Sequence, residues 1–183
     1  MVDDSGRVLP CFMAASLEYQ KNVFAALYPV DAPVSVAQME DGRLVPLDQE
    51  LETDAVIDAA IRACSQADIE LLRTPVVLTA RGPGLELVDG DAEALELGSA
   101  GDEDEDEETE EALVLAELEH DGLELLIVQT LDPLYVVGKK VTEKKYAVPK
   151  DEEIEDVSET IEQLVVEFED SMEDDDEDDD FNV

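Results

Sequence analysis

Residues Leu113 to Val137 read L-V-L-A-E-L-E-H-D-G-L-E-L-L-I-V-Q-T-L-D-P-L-Y-V-V. Two runs rich in strand-forming residues flank Asp121-Gly122, and a break at Asp132-Pro133 leads into a third run. Asp-Gly between apolar segments predicts a hairpin, because both central residues of a type I′ turn need positive φ.

The same layout stands near the N-terminus. Val8 to Tyr19 is strand-like, with Pro10 favouring an edge position or a bulge at its start. Gln20-Lys21-Asn22 is a turn, and Val23 to Tyr28 is a second strand. Pro29 to Pro33 kinks the chain, and Val34 to Met39 and Arg43 to Pro46 follow as third and fourth strands. The period then changes: Leu51, Val56, Ile57, Ala60, Ile61 and Cys64 recur near helical spacing within Asp48 to Ala67, behind an acidic start that suits a helix N-terminus. Ile69 to Arg81 reads as a further strand, at an edge or bulged at Pro75, and Gly82-Pro83-Gly84 ends it. Leu85 to Leu97 is ambiguous, and Gly98 to Glu111 is an acidic linker. Beyond the quoted stretch, a tight hairpin is expected about Thr142-Glu143. Asp151 to Phe168 carries Ile154, Val157, Ile161, Leu164, Val165 and Phe168 on one helical stripe. Glu169 to Val183 is expected to be a disordered acidic tail.

Aligning Leu17 with Leu118 brings Glu18 onto Glu119, Phe24 onto Leu125, Ala26 onto Ile127, Asp31 onto Asp132 and Val36 onto Val137 without a gap. After a small insertion Val45-Pro46 meets Val148-Pro149, and the two helices follow. The expectation is an α+β fold: an internal duplication of a four-stranded antiparallel β unit plus one helix. The first unit with its extra strand spans residues 1–84, the acidic linker 85–111, the second unit 112–168 and the tail 169–183. A unit of about 60 residues has a marginal core alone, so the two are expected to pack together as a sandwich or partly closed barrel.

D-x-x-G-R-x-L-P-C near the start, V-F-A-A-L-Y-P-V-D-A-P-V, L-L-R-T-P-V-V-L-T-A-R-G, the acidic linker and T-L-D-P-L resemble the cyanobacterial and plastid family known as domain of unknown function 3727. Each half is similar in turn to the shorter acidic bacterial family 1292. The resemblance covers nearly the whole chain up to about Phe168 and rests on apolar and turn residues. It implies no catalytic residues. It implies a place, the chloroplast stroma or the cyanobacterial cytoplasm, and a chain whose transit region is absent.

Charge bears more directly on function. The 183 residues hold 51 acidic against 11 basic side chains, a formal net charge of −40. Much of it lies in Gly101 to Glu111 and Glu169 to Asp180. Such a surface repels nucleic acid and anionic lipid. It favours a basic protein, a basic subunit of a larger complex, or weakly held divalent cations. E-D-D-D-E-D-D-D lacks the glycine turn of a calcium loop, so no defined metal site is expected. Cys11 and Cys64 belong to no Cys-x-x-Cys or Cys/His cluster and read as buried free thiols. No apolar run reaches the length of about 18 residues that a membrane span needs.

Candidate chemistry is sparse. Asp31, Asp132, Glu119 and Glu124 are the carboxylates set in apolar runs. Asp31, Asp132 and Pro133 read as structural kink residues, the aspartates bonding nearby backbone N–H groups. Glu119 and Glu124 read as outward residues of alternating strands. His120, the single histidine, reads as a solvated residue at the hairpin tip with no serine or cysteine motif beside it. No phosphate-binding glycine loop occurs. Lys139, Lys140, Lys144 and Lys145 gather four of the 11 basic residues in one hairpin. They are candidate partner contacts, and the competing role is pairing in cis with acidic segments or guarding an edge strand. Together these features predict a non-enzymatic acidic interaction or assembly factor with no cofactor. The alternatives are a small-molecule-binding or enzymatic domain of unrecognised type and a nucleic-acid mimic.

Overall fold

A computed structural model describes residues 1–40, 43–48, 51–86, 95–97, 110–131 and 133–176. Along the chain run β1 (Cys11–Tyr19), β2 (Asn22–Pro29), β3 (Ala32–Glu40), β4 (Arg43–Pro46), α1 (Asp54–Gln66), β5 (Glu70–Arg73), β6 (Leu78–Arg81) and β7 (Leu95–Leu97). There follow β8 (Glu110–His120), β9 (Leu123–Thr130), β10 (Val136–Thr142), β11 (Lys145–Ala147), α2 (Asp151–Glu155) and α3 (Ser158–Asp176). The fold is mixed α+β, mostly antiparallel sheet with a few helices, and it is not a closed barrel. There are two sheets, each in its own compact unit. One unit comprises Met1–Val30 and Tyr135–Val183, the other Asp31–Leu134.

The first unit holds a four-stranded sheet in the order β1-β2-β10-β11. Strand alternation turns Phe24, Ala26 and Tyr28 to one face, where Val157, Ile161 and Val165 meet them at intervals of one helical turn. The helix expected over Asp151 to Phe168 is broken into α2 and α3. The break lets buried Val157 reach the core, its N–H bonding back to the Ile154 carbonyl at 3.0 Å in a tightened turn. α3 also outruns its expected end and reaches Asp176, so the stretch expected as a disordered tail begins as helix. Tyr28 ties it down, its hydroxyl donating to Glu169 Oε1 at 2.5 Å.

The second unit holds a seven-stranded sheet in the order β4-β7-β8-β9-β3-β6-β5, and β4 also pairs with β3. Thr53 caps α1, its Oγ1 accepting from Val56 N–H at 3.4 Å. The buried stripe Val56, Ile57, Ala60 and Cys64 packs with Val34, Val36, Leu125 and Ile127. Ala37, Leu44, Ala112 and Val128 form a separate cluster. The single strand expected over Ile69 to Arg81 is instead the hairpin β5–β6. Pro75 has no N–H for a ladder, and Thr74 Oγ1 donates to the Val77 carbonyl at 2.5 Å, which closes the turn. After it, the chain passes tightly under the end of α1: a Cβ at Gly84 would lie 2.0 Å from the Ala67 carbonyl oxygen.

The local geometry of the two sequence halves corresponds closely. Asp121 (φ 51°) and Gly122 (φ 82°) make the type I′ turn between β8 and β9, and Gln20 (φ 47°) and Lys21 (φ 65°) make the same turn between β1 and β2. The register shifts between Met13 and Ala15 in one hairpin and between Val114 and Ala116 in the other. Val36 faces Ile127 across β3–β9, while Val137 faces Ala26 across β10–β2. The hairpin of each half therefore pairs with the third strand of the other half. The chain passes from unit to unit at Val30–Asp31 and at Leu134–Tyr135. The sequence divisions at residues 84 and 112 are crossed by both units.

Candidate functional site

The groove that best fits a binding role lies in the second unit. Alternation along β8 and β9 exposes Glu117, Glu119 and Glu124, and the hairpin register places Glu119 directly opposite Glu124. These carboxylates border a groove of about 550 Å³ whose apolar lining includes Met39, Leu95, Val114 and Leu126. That volume lies within the usual range for a small-ligand or side-chain pocket. Among the described residues none of the three carboxylates has an ion-pair partner. Like charges directly opposed across strands repel by up to about 1 kcal/mol. The groove thus combines apolar surface with uncompensated negative charge, a pairing that suits the alkyl stem and charged head of a lysine or arginine. His120, 27% exposed, adds a cation only when protonated, its Nε2 being 3.6 Å from Asp121 Oδ2.

The basic hairpin lies in the first unit, on β10, the turn and β11. Lys139 binds Glu153 at the start of α2 and stands 5.8 Å from the centre of the Phe24 ring. Its ammonium holds the Glu153 carboxyl below the usual range. Lys140, Lys144 and Lys145 are exposed and have no ion-pair partner among the described residues. The hairpin is thus split between one lysine held in cis and three facing solvent.

Asp31 and Pro133 are not part of the groove lining. Asp31 precedes β3 and adds to the field that raises the Arg81 guanidinium, behind the larger effect of Glu70. Pro133 is exposed, and Asp132 lies outside the described residues, as do residues 98–109 and 177–183 of the acidic linker and tail. Cys64 is buried and Cys11 half-buried, and burial pushes both thiols up. Burial, then the hydrogen bond to Glu169, raises the Tyr28 phenol. Among the described residues fully buried Thr79 has no hydrogen-bond partner for its Oγ1. Among the described residues no group of three or more His, Cys, Asp or Glu could hold a metal ion, and no helix is long and apolar enough to cross a membrane.

Glu119 and Glu124 were legible as outward strand residues. Met39 and Leu95 were not legible as their neighbours, because β3 and β7 reach the groove only through non-local pairing.

These features define a class: a mixed α+β protein of antiparallel sheets with an acidic-rimmed groove. Residues 68–168, more than half of the chain, match the family described as Protein of unknown function (DUF3727), and the chain belongs to that family. The match contains L-L-R-T-P-V-V-L-T-A-R-G and T-L-D-P-L, while the N-terminal motifs lie before it. No curated protein and no solved structure matches the chain.

Proposed function

We propose that this protein is a non-enzymatic interaction or assembly factor that holds a basic segment of a protein, or of a subunit in a larger complex, in the groove between β8, β9 and β3. Its place of action is the chloroplast stroma or the cyanobacterial cytoplasm, as the family resemblance implies. The observation that carries the reading is the opposition of Glu119 and Glu124 beside an apolar groove. A like-charged cross-strand pair is a local cost that an incoming cation relieves. The net charge of −40 extends the same field outward and speeds encounter with basic surfaces. The same reading takes the chain as an internal duplication whose halves exchange strands, supported by the matched turns, register shifts and cross-strand pairs.

The test pairs stability with capture. Glu124→Lys is expected to stabilise the hairpin by about 0.5–1 kcal/mol while weakening capture of basic partners from the native compartment by tenfold or more at low salt, read by affinity purification with mass spectrometry. Unchanged capture at both low and high salt would sink the reading. The volume of the groove also supports a second reading, a small cationic ligand. That reading predicts a thermal shift with a small diamine in the parent protein and none in the variant.

A further inference from the structure

Sheets end in edges, and in the first unit the edge at β1 is only partly covered. Among the described residues β1 pairs with β2 alone. Met1 and Leu9 exchange hydrogen bonds at 2.5 and 2.9 Å, and Val2 bridges Val8 to Ala147 of β11, so the chain pairs with its own edge up to Leu9, while the Tyr146 hydroxyl of β11 donates to Met13 Sδ at 3.3 Å. The Pro10 carbonyl accepts from Val30 N–H at 3.0 Å, which turns Pro10 toward β2. Backbone groups alternate along a strand, so Cys11 and Met13 turn their N–H and C=O groups outward. Pro29 stands opposite Cys11 and has no N–H to offer there, which agrees with that alternation.

Edge strands of soluble proteins are ordinarily guarded by charge. β8, the corresponding strand of the second unit, carries Glu117 and Glu119, and its start is paired by β7. β1 has no charged residue from Cys11 to Leu17, and its Phe12 and Met13 are each 53% exposed. This is an unusual stretch to leave on an edge in a chain with 62 charged residues, 51 acidic and 11 basic.

We propose that the outer edge of β1 takes up an extended segment of a partner protein in which apolar and basic residues alternate. β7 supplies the internal precedent: L-E-L lies antiparallel on β8, Leu95 opposite Ala112, and Leu95 packs with the Ala37, Leu44, Ala112 and Val128 cluster. At the corresponding place in the first unit stands Cys11, with no strand paired to its outer side among the described residues. Phe12 and Met13, on opposite faces of β1, offer apolar contacts to alternate residues of the incoming strand, Met13 by releasing the Tyr146 hydroxyl. Glu18 stands near the end of the edge, and Glu169 is bonded to Tyr28, on whose ring Phe12 stacks at 5.3 Å. These carboxylates and the net charge of −40 select lysine or arginine for the remaining positions. The basic character of the segment rests on the function proposed above, whereas the strand geometry does not.

The probe is a capped nine-residue peptide alternating lysine and valine, compared with a peptide of the same composition in two blocks. Fluorescence anisotropy on the full chain is expected to show the alternating peptide binding at least tenfold more tightly. Met13→Pro, which removes an outward N–H, and Met13→Lys, which adds a guarding charge, are each expected to erase that preference while circular dichroism stays unchanged. Equal binding of the two peptides overturns the proposal, as does a preference that survives in a folded variant. A free protein that light scattering shows to be a dimer, split by either variant, assigns the edge to a second copy and also overturns it. If Glu119→Gln with Glu124→Gln weakens both peptides while the Met13 variants change nothing, the edge proposal fails and the acidic groove stands. If an alternating threonine/valine peptide binds the edge as well as the lysine peptide does, the strand geometry stands and its basic selectivity fails.

Discussion

The two compact units each pack a helix on antiparallel strands and fill their cores differently. Each places a helical stripe over a hairpin: Val157, Ile161 and Val165 in the first, Val56, Ala60 and Cys64 in the second. The stripe of the second unit is the smaller, and there the β5–β6 hairpin and the turn before it add Leu71, Ala80 and Ile69 to the same core. The first unit has no such hairpin and fills its core with larger helix residues and with Tyr28, Tyr135 and Phe168, whose rings cluster at centroid distances of 6.4 Å. Cores tolerate redistribution of volume among residues better than its loss. The comparison shows one packing problem solved once by adding strands and once by adding side-chain volume.

The strongest test breaks the chain rather than the packing. Each unit takes strands from both sides of residues 98–109, so cutting there separates no unit from itself. A protein cleaved at an inserted protease site in residues 98–109 is expected to elute as one body by size exclusion and to separate only in denaturant. Each fragment expressed alone lacks half of both sheets and is expected to give a dispersionless amide spectrum. A fragment that folds alone would contradict the exchange of strands between halves.

A smaller effect is expected inside the helical stripes. Ile161→Ala removes a buried side chain at the position where the second unit already has Ala60. A cavity of that kind costs about 2–5 kcal/mol, and the first unit should melt before the second in thermal unfolding followed by hydrogen exchange. The reverse substitution, Ala60→Ile, should overpack the second core by about 1–3 kcal/mol. If Ile161→Ala costs less than about 1 kcal/mol, the two stripes do not occupy equivalent cores.

Local features of the sequence carried most of the elements and few of their neighbours. Asp121-Gly122 announces its turn because glycine accepts positive φ, and Val157, Ile161 and Val165 announce a helix face by their spacing. Alternation in β2 and β9 shows which residues are buried, yet it is silent on which strand lies alongside. The exchange of hairpins between halves is therefore invisible to periodicity, although Asp31 and Pro133 mark the two passages. Pro75 is ambiguous by itself: a proline that interrupts an apolar run can split it into a hairpin as well as bulge it. The groove was half legible. Glu119 and Glu124 showed as outward carboxylates, while Met39 and Leu95 reach them only through long-range pairing. The continuation of α3 past Phe168 depends on Tyr28 bonding Glu169, a contact between residues distant in sequence.

The smallest expected effect lies in the two turns that open each hairpin. Both hold their central residues at positive φ, with Gln20 at 47° and Lys21 at 65° where the other half has Asp121 at 51° and Gly122 at 82°. A residue with a Cβ is strained in the left-handed region by roughly 1–2 kcal/mol, a cost that glycine escapes and asparagine partly offsets by local hydrogen bonding. Gln20→Asn with Lys21→Gly should therefore stabilise the protein by about 1 kcal/mol, some 2–4 °C in Tm for a chain of this size. Asp121→Gln with Gly122→Lys should lose a similar amount. The four-protein cycle of parent, each exchange and both together separates turn strain from general effects, because distant sites add when they are independent. Opposite and equal changes would establish the two turns as one device with different residues in it. A change that appears only in the β8–β9 hairpin would mean that contacts elsewhere in the β1–β2 hairpin already absorb the strain of Gln20 and Lys21.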